Sequence, residues 1–311
     1  MADRVLEVRH SDLHRNVSRR KVWNRVFTVA GLLATLVGLV TLAAMLGSLA
    51  IDGFPRLSVD FFFNFPSRFA NQAGILSAWV GSVLVIIVTA LIGIPLGIAA
   101  GIYLEEYAPT NWMTNIIEIN VANLAAVPSI VYGLLALGLF VYGLGLGHSV
   151  LTAGLTLALL ILPIIIVATR EAIRAIPNSV RESAYALGAT RWQVTQHHIL
   201  PYSTGGIMTG VIIGLARALG ETAPLITIGA LTYIAFLPSP PIQADPPFIS
   251  FSWLFDSFTV LPIQMFNWVS RPGTAFQSNA AAAGLVLLVL TLALNAGAIY
   301  LRYRMRKKIK W

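Results

Sequence analysis

From about Val26 to Ile51 the chain runs without a charged residue. A helix of about 20 apolar residues crosses the ~30 Å hydrocarbon core of a bilayer, and this stretch exceeds that length. It begins too far from the start, and is too long, for a cleaved leader, so it reads as a retained first membrane helix. Further apolar stretches follow at about 75–103, 123–144, 149–168, 204–236 and 279–301. Only 11% of the 311 residues are charged and 57% are hydrophobic, against about 25% charged in soluble domains. A water-soluble fold of this size could not hide that much apolar surface. The chain has no cysteine, which excludes disulfides, a thiol nucleophile and Cys-ligated metal.

The count turns on residues 121–168. A break at Gly143-Leu144-Gly145-Leu146-Gly147-His148 divides this region into two helices; without it the chain has five. The basic residues favour six. Arg4, Arg9, Arg15, Arg19, Arg20, Lys21 and Arg25 precede the first helix. Arg170, Arg174, Arg181 and Arg191 lie between the fourth and fifth. Arg302, Arg304, Arg306, Lys307, Lys308 and Lys310 follow the last. Six helices put all three groups on one side, which the positive-inside rule assigns to the cytoplasm. The loop at 104–120, with Glu105, Glu106 and Glu118 and no basic residue, adds no support. The expected fold is therefore an all-α integral membrane protein with six transmembrane helices and cytoplasmic termini. Basic tails at 1–22 and 303–311 flank a membrane domain at 23–302. The tails suit anionic lipid head groups rather than nucleic acid.

The loop at 237–278 falls on the external side. It is rich in proline, yet Phe248 to Trp268 is too apolar for a free linker. It is expected to fold against the bundle or lie at the interface, where Trp is favoured.

The cytoplasmic segment 170–202 carries two capping boxes. Ser179 can cap a helix with Glu182 at N3, and Thr190 a second with Gln193 at N3. Gly188 stands where the first helix needs a left-handed residue. The reading is helix, tight turn, helix. Val180, Ala184 and Leu187 share one face. That face packs either into a partner's groove or onto the chain's own bundle.

Two charges fall inside the fifth apolar stretch, in Arg217-Ala218-Leu219-Gly220-Glu221-Thr222-Ala223-Pro224. Each costs several kcal/mol in hydrocarbon. Their i, i+4 spacing allows pairing. Pro224 deprives the Gly220 carbonyl of its partner, so a kink is expected there. Either the pair is a self-neutralising tie between helices, or Arg217 and Glu221 line a translocation path. Intramembrane charges are usually functional. An arginine fork suits an oxyanion, and Glu221 keeps such a site weak enough to release it.

These segments carry a resemblance. Glu182-Ser183-Ala184, three residues, Gly188, then Leu200-Pro201 resembles the EAA loop of type I ABC importer permeases, with Ser183 for the first Ala and His198 for an Ile. In that family the loop is a coupling helix docked on an ATPase, which implies that role for Ser179, Glu182, Ser183, Ala184 and Gly188. The Arg217–Pro224 run resembles a signature of phosphate-specific permeases. So do Ala126-Val127-Pro128-Ser129-Ile130-Val131-Tyr132-Gly133-Leu134 and Leu104-Glu105-Glu106-Tyr107-Ala108. Phe258 to Gln264, with Asn267-Trp268, resembles the A-type subunit rather than its C-type partner. The resemblance implies phosphate import across the inner membrane of a prokaryote. It places functional weight on Arg217, Glu221, Thr222 and Arg170, the last being either a path residue or a positive-inside anchor. It also implies a C-type permease subunit in a heterodimer, two ATPase chains and an external phosphate-binding protein.

The chain has no Gly-Lys-Ser/Thr phosphate loop, so ATP and Mg belong on the partner, and no cofactor and no enzymatic activity are expected here. His197-His198 point apart on a helix and lack a third ligand. Ser129 and Ser203 lack triad partners. Two functional alternatives stand: a permease for molybdate or sulfate, and a proton-coupled transporter using Arg217 and Glu221 as a relay. A non-transporting scaffold has no use for charges at mid-membrane.

Overall fold

The computed structural model describes residues 2–243 and 248–306, with side chains for 20–243 and 248–304. Met1, Asp245, Pro246, Pro247, Lys307, Lys308 and Lys310 lie outside the described residues, as do the side chains of Arg4, Arg9, Arg15, Arg19 and Arg306. The chain forms two compact units, Met1–Ile51 and Asp52–Trp311.

The first unit lies within one helix, α1 (Ala2–Gly53). The segment read as a tail at 1–22 is thus helical from Ala2, because no proline or glycine interrupts it before the apolar run. Leu32, Leu36, Leu39 and Met45 are exposed, a surface that lipid or protein must cover.

The second unit begins with α2 (Val59–Phe63), capped by Ser58, whose Oγ accepts from the Phe61 N–H at 3.3 Å. Then come α3 (Leu76–Ile102), α4 (Trp112–Leu124), α5 (Ser129–Ala136) and α6 (Val150–Arg174). α7 (Asn178–Ala186), α8 (Arg191–Val194), α9 (Leu200–Gly220) and α10 (Ala223–Thr227) follow. α11 (Leu261–Val269) and α12 (Thr274–Arg306) close the chain. Among the described residues, five helices are long and apolar enough to cross a membrane, or six if α4 and α5 count as one bent span.

That bend corrects the expected third span at 123–144. α4 and α5 meet at 108° across residues 125–128. Pro128 explains the break: it disfavours helical geometry at Val127 and supplies no N–H. Ser129–Gly143, including a π-helical end at Leu137–Gly143, is about 22 Å long at 1.5 Å per residue. It does not cross a bilayer alone. Residues 144–149 are non-helical, with Gly145 at φ +66° and Gly147 at φ +65°, so α5 and α6 are separate helices.

α6 is the central helix, held between two glycine ladders. Gly93, Gly97 and Gly101 of α3 meet Ile161, Ile165 and Thr169 of α6, each pair one step of four residues further along. On the α9 side, Gly206 and Gly210 meet Ala172 and Ala168. A Cβ at Gly97 would lie 2.7 Å from Ile165 Cγ2, and one at Gly206 2.5 Å from Ala172 Cβ. Small residues let backbones approach where lipid supplies no hydrophobic drive between helices. The resulting core includes Val85, Leu157, Ile161, Ile165, Val211 and Leu215. Phe258, Leu261, Ile263 and Trp268, from the segment expected to fold back, are also buried. The Leu261 N–H donates to Ser82 Oγ at 2.9 Å, tying the start of α11 to α3.

Candidate functional site

The fifth apolar stretch is not one kinked helix. α9 ends at Gly220; Glu221 is extended at φ −77°, ψ 129°, and α10 restarts at Ala223. This corrects the expected span of 204–236 and the kink at Gly220 and Pro224. Pro224 stands in the first turn of α10, where no N–H is required of it. Proline therefore starts a new helix here instead of bending the old one.

Arg217, in the last turn of α9, donates from Nε to Glu221 Oε1 at 3.1 Å. The Arg217 side chain is 36% exposed and that of Glu221 19%. A Cβ at Gly220 would meet nothing within 4 Å, so the break borders open space. One guanidinium edge is held by the carboxylate, which leaves fork donors for another acceptor. Thr222 stands at the head of α10, its carbonyl accepting from Leu225 and Ile226 N–H groups at 3.1 and 3.0 Å.

α5 braces the break. A Cβ on Gly133 would lie 2.7 Å from the Cα and the O of Pro224, so only glycine permits that approach. The preceding residue, Tyr132, donates its hydroxyl to the Leu124 carbonyl at 2.8 Å, bridging the α4–α5 bend. Arg217 lies within electrostatic reach of Tyr132. The structure thus brings together two segments singled out separately in the sequence.

Arg170 lies elsewhere, at the end of the bundle where α3, α6 and α7 meet. Its side chain is 9% exposed. Nε donates to Glu105 Oε2 at 3.4 Å, and Nη2 lies 2.6 Å from Glu118 Oε1, an ion-pair contact without hydrogen-bond alignment. Arg174 grips the same Glu105 with Nε and Nη2, at 3.1 and 3.0 Å. Arg181 of α7 holds Glu106, from Nε at 3.1 Å and Nη2 at 2.7 Å. Sequence reasoning set Glu105, Glu106 and Glu118 aside, because acidic residues weigh little in topology. The available signal was two adjacent carboxylates closing an apolar run, opposite an arginine-rich segment.

α7 also departs from expectation. Its N-cap is Pro177, and Ser179 lies inside the helix, where its neighbour Asn178 Oδ1 accepts from Arg181. Ser179 therefore does not cap with Glu182. The shared face divides: Ala184 is buried and Val180 half-buried against Ile173, Ile176, Val194 and Ile199, whereas Leu187 is 90% exposed. Glu182 and Ser183 are exposed. Gly188 has φ +83°. Its N–H donates to the Tyr185 carbonyl and that of Ala189 to the Ala184 carbonyl, the paired bonds of a Schellman ending. Thr190 and Gln193 form a complete capping box for α8.

Comparison with known proteins adds to this geometry. The profile of the family described as "Binding-protein-dependent transport system inner membrane component" matches residues 93–309. The phosphate transport system permease protein PstA of Xylella fastidiosa is 32% identical over 280 residues, 90% of this chain and 92% of that protein. A probable ABC transporter permease, YqgI of Bacillus subtilis, is 30% identical, covering 93% and 98%. Among solved structures, a bacterial alginate ABC transporter in complex with its alginate-bound periplasmic protein aligns at TM-score 0.63 with 15% identity, covering 93% of this chain and 98% of that one. At that identity the likeness is one of fold.

Proposed function

Because the chain belongs to the family of binding-protein-dependent transport system inner membrane components, we propose that it is the permease subunit of an ATP-driven importer that carries inorganic phosphate across the membrane by alternating access. The observation that carries this reading is the break after α9. A partly exposed arginine, ion-paired with Glu221 through one edge of its guanidinium, stands beside open space at the point where a membrane helix ends. Relatives of nearly full length are phosphate transport permeases.

An anion reaching Arg217 meets fork donors that Glu221 does not occupy, and Glu221 limits the net charge that holds it. Arg170 is assigned a different part. With two carboxylates against it, its charge is already matched, so it pins α6 to the end of α3 and to α4.

The orientation follows from charge. Seventeen of the 21 basic residues fall before α1's apolar run, at the end of α6 or between α6 and α9, or after α12's apolar run. The positive-inside rule places those segments in the cytoplasm of a prokaryote. α7 and the turn at Gly188 then face an ATPase chain. Tyr185, Leu187 and Trp192 are exposed there as apolar anchors, beside Glu182 and Ser183. The assembly comprises this subunit, a C-type permease, two ATPase chains binding ATP and Mg, and an external phosphate-binding protein.

The test is Arg217→Ala in the assembled transporter, reconstituted in vesicles with phosphate-loaded binding protein. Phosphate uptake is lost while the ATPase chains still co-purify. Full uptake by the variant refutes the oxyanion role. In the wild type, inhibition by sulfate or molybdate stronger than by unlabelled phosphate reassigns the substrate.

A further inference from the structure

α3 does not end as a regular α-helix. Its last turn, Tyr103–Tyr107, is π-helical, closed by the Ala108 N–H to the Tyr103 carbonyl at 2.8 Å. Such turns are rare and concentrate where function needs them. This one carries Glu105 and Glu106. Adjacent residues on a helix diverge by about 100°, so the two carboxylates address different elements: Glu105 faces α6 and Glu106 faces α7.

The Glu106 contact is a saturated one. Besides its two bonds to Glu106, Arg181 donates from Nη1 to the Ile176 carbonyl and Asn178 Oδ1, at 2.9 and 3.2 Å, and from Nη2 to the Ile173 carbonyl at 3.2 Å. All five N–H donors of the guanidinium are used. The pair is nearly dry, with Arg181 15% and Glu106 8% exposed. Charge-assisted bonds in such surroundings are short and directional. By contrast, the covalent connections of α7 are turns: Ala175–Pro177 on one side, and the left-handed Gly188 on the other. Otherwise α7 rests on Ala184 and Val180. A push on α7 can be absorbed by the turns but is passed directly through Arg181.

We propose that Glu106 is a positioning residue for energy coupling: through Arg181 it ties α7 to the end of α3, so that displacement of α7 moves that membrane helix. This rests on the reading of the chain as an ATP-driven permease. Glu105, clamped by Arg170 and Arg174, extends the tie to α6. The cytoplasmic ends of α3 and α6 thereby move as one body with the docking helix.

The test uses the complete transporter in vesicles, with inorganic phosphate uptake and ATP hydrolysis measured side by side. The wild type first checks the underlying reading: no phosphate-stimulated hydrolysis refutes that reading, whatever Glu106 does. In Glu106→Gln, uptake per ATP falls about tenfold, within the range of coupling between sites, while ATPase chains remain bound. Glu106→Asp, which keeps the charge, restores most of the ratio. A misfolded fraction lowers uptake and hydrolysis together and leaves their ratio unchanged, so the ratio separates coupling from structure. An unchanged ratio in Glu106→Gln overturns the proposal. Hydrogen exchange on the wild type reads the same joint without any substitution. ATP with Mg alters protection of α7 and of residues 103–107 together; a change confined to α7 overturns the tie.

Discussion

Replacing Arg170 by Gln separates a structural pin from an anion ligand. The arginine is 9% exposed and lies against Glu105, 16% exposed, and Glu118, 30% exposed. Removing one partner of a buried ion pair costs about 3–5 kcal/mol, because a charge is left uncompensated. Two features reduce that figure. Glu105 keeps the Arg174 fork, and water reaches part of Glu118. A destabilisation of about 2–4 kcal/mol remains. It is read as a lower unfolding midpoint for the purified protein in detergent. Glu118→Gln alone costs less, since Arg170 retains Glu105. The double variant Arg170→Gln/Glu118→Gln regains more than half of the Arg170→Gln loss, because the orphaned carboxylate is gone, and the cycle gives the pairwise coupling. Transport declines with stability, not ahead of it. If Arg170→Gln melts like wild type yet takes up no phosphate, the pin is refuted and Arg170 acts on the anion.

Three further substitutions probe backbone positions. Gly133→Ala puts a methyl group against Thr227 Oγ1 and 2.7 Å from Pro224 Cα; overpacking of this kind costs about 1–3 kcal/mol, seen as a lower melting point and slower uptake, whereas Gly138→Ala, with open space around it, is silent. Gly188→Ala forces a side chain into the left-handed region at φ +83° for about 1–2 kcal/mol. Faster hydrogen exchange in α7, with an unchanged melting midpoint for the membrane bundle, is the expected result.

Much of the site was legible before folding. The Arg217–Glu221 spacing defines a pair that a single turn of helix can reach across, and it closes across the C-terminal end of α9, with Glu221 the first residue beyond the helix. Gly188 and the Thr190–Gln193 box mark a helix end and a helix start, because both depend on backbone geometry within a few residues. The glycine ladders at 93, 97, 101 and 206, 210 are visible as spacing, although nothing local says that α6 is their common partner. Pro224 was misread because a proline that bends a helix and one that begins a helix differ only in whether the preceding turn continues. Ser179 lost the capping position to Pro177 for a similar reason. Once a proline opens the helix, the hydroxyl two residues on falls inside it.

What the sequence determined by itself is the class of solvent, the approximate spans, and the short-range hydrogen bonds that end and begin helices. These depend on side-chain identity over a turn or two. The tertiary structure alone decided that the third span folds at Pro128, that α9 stops beside open space, and which carboxylate each arginine meets. The contacts Arg170–Glu105, Arg174–Glu105 and Arg181–Glu106 bridge 65, 69 and 75 positions. No local pattern encodes such a partner. It is chosen when α3 docks on α6 through its glycine ladder, which brings the π-helical end of α3 to the arginines, where the buried charges are neutralised.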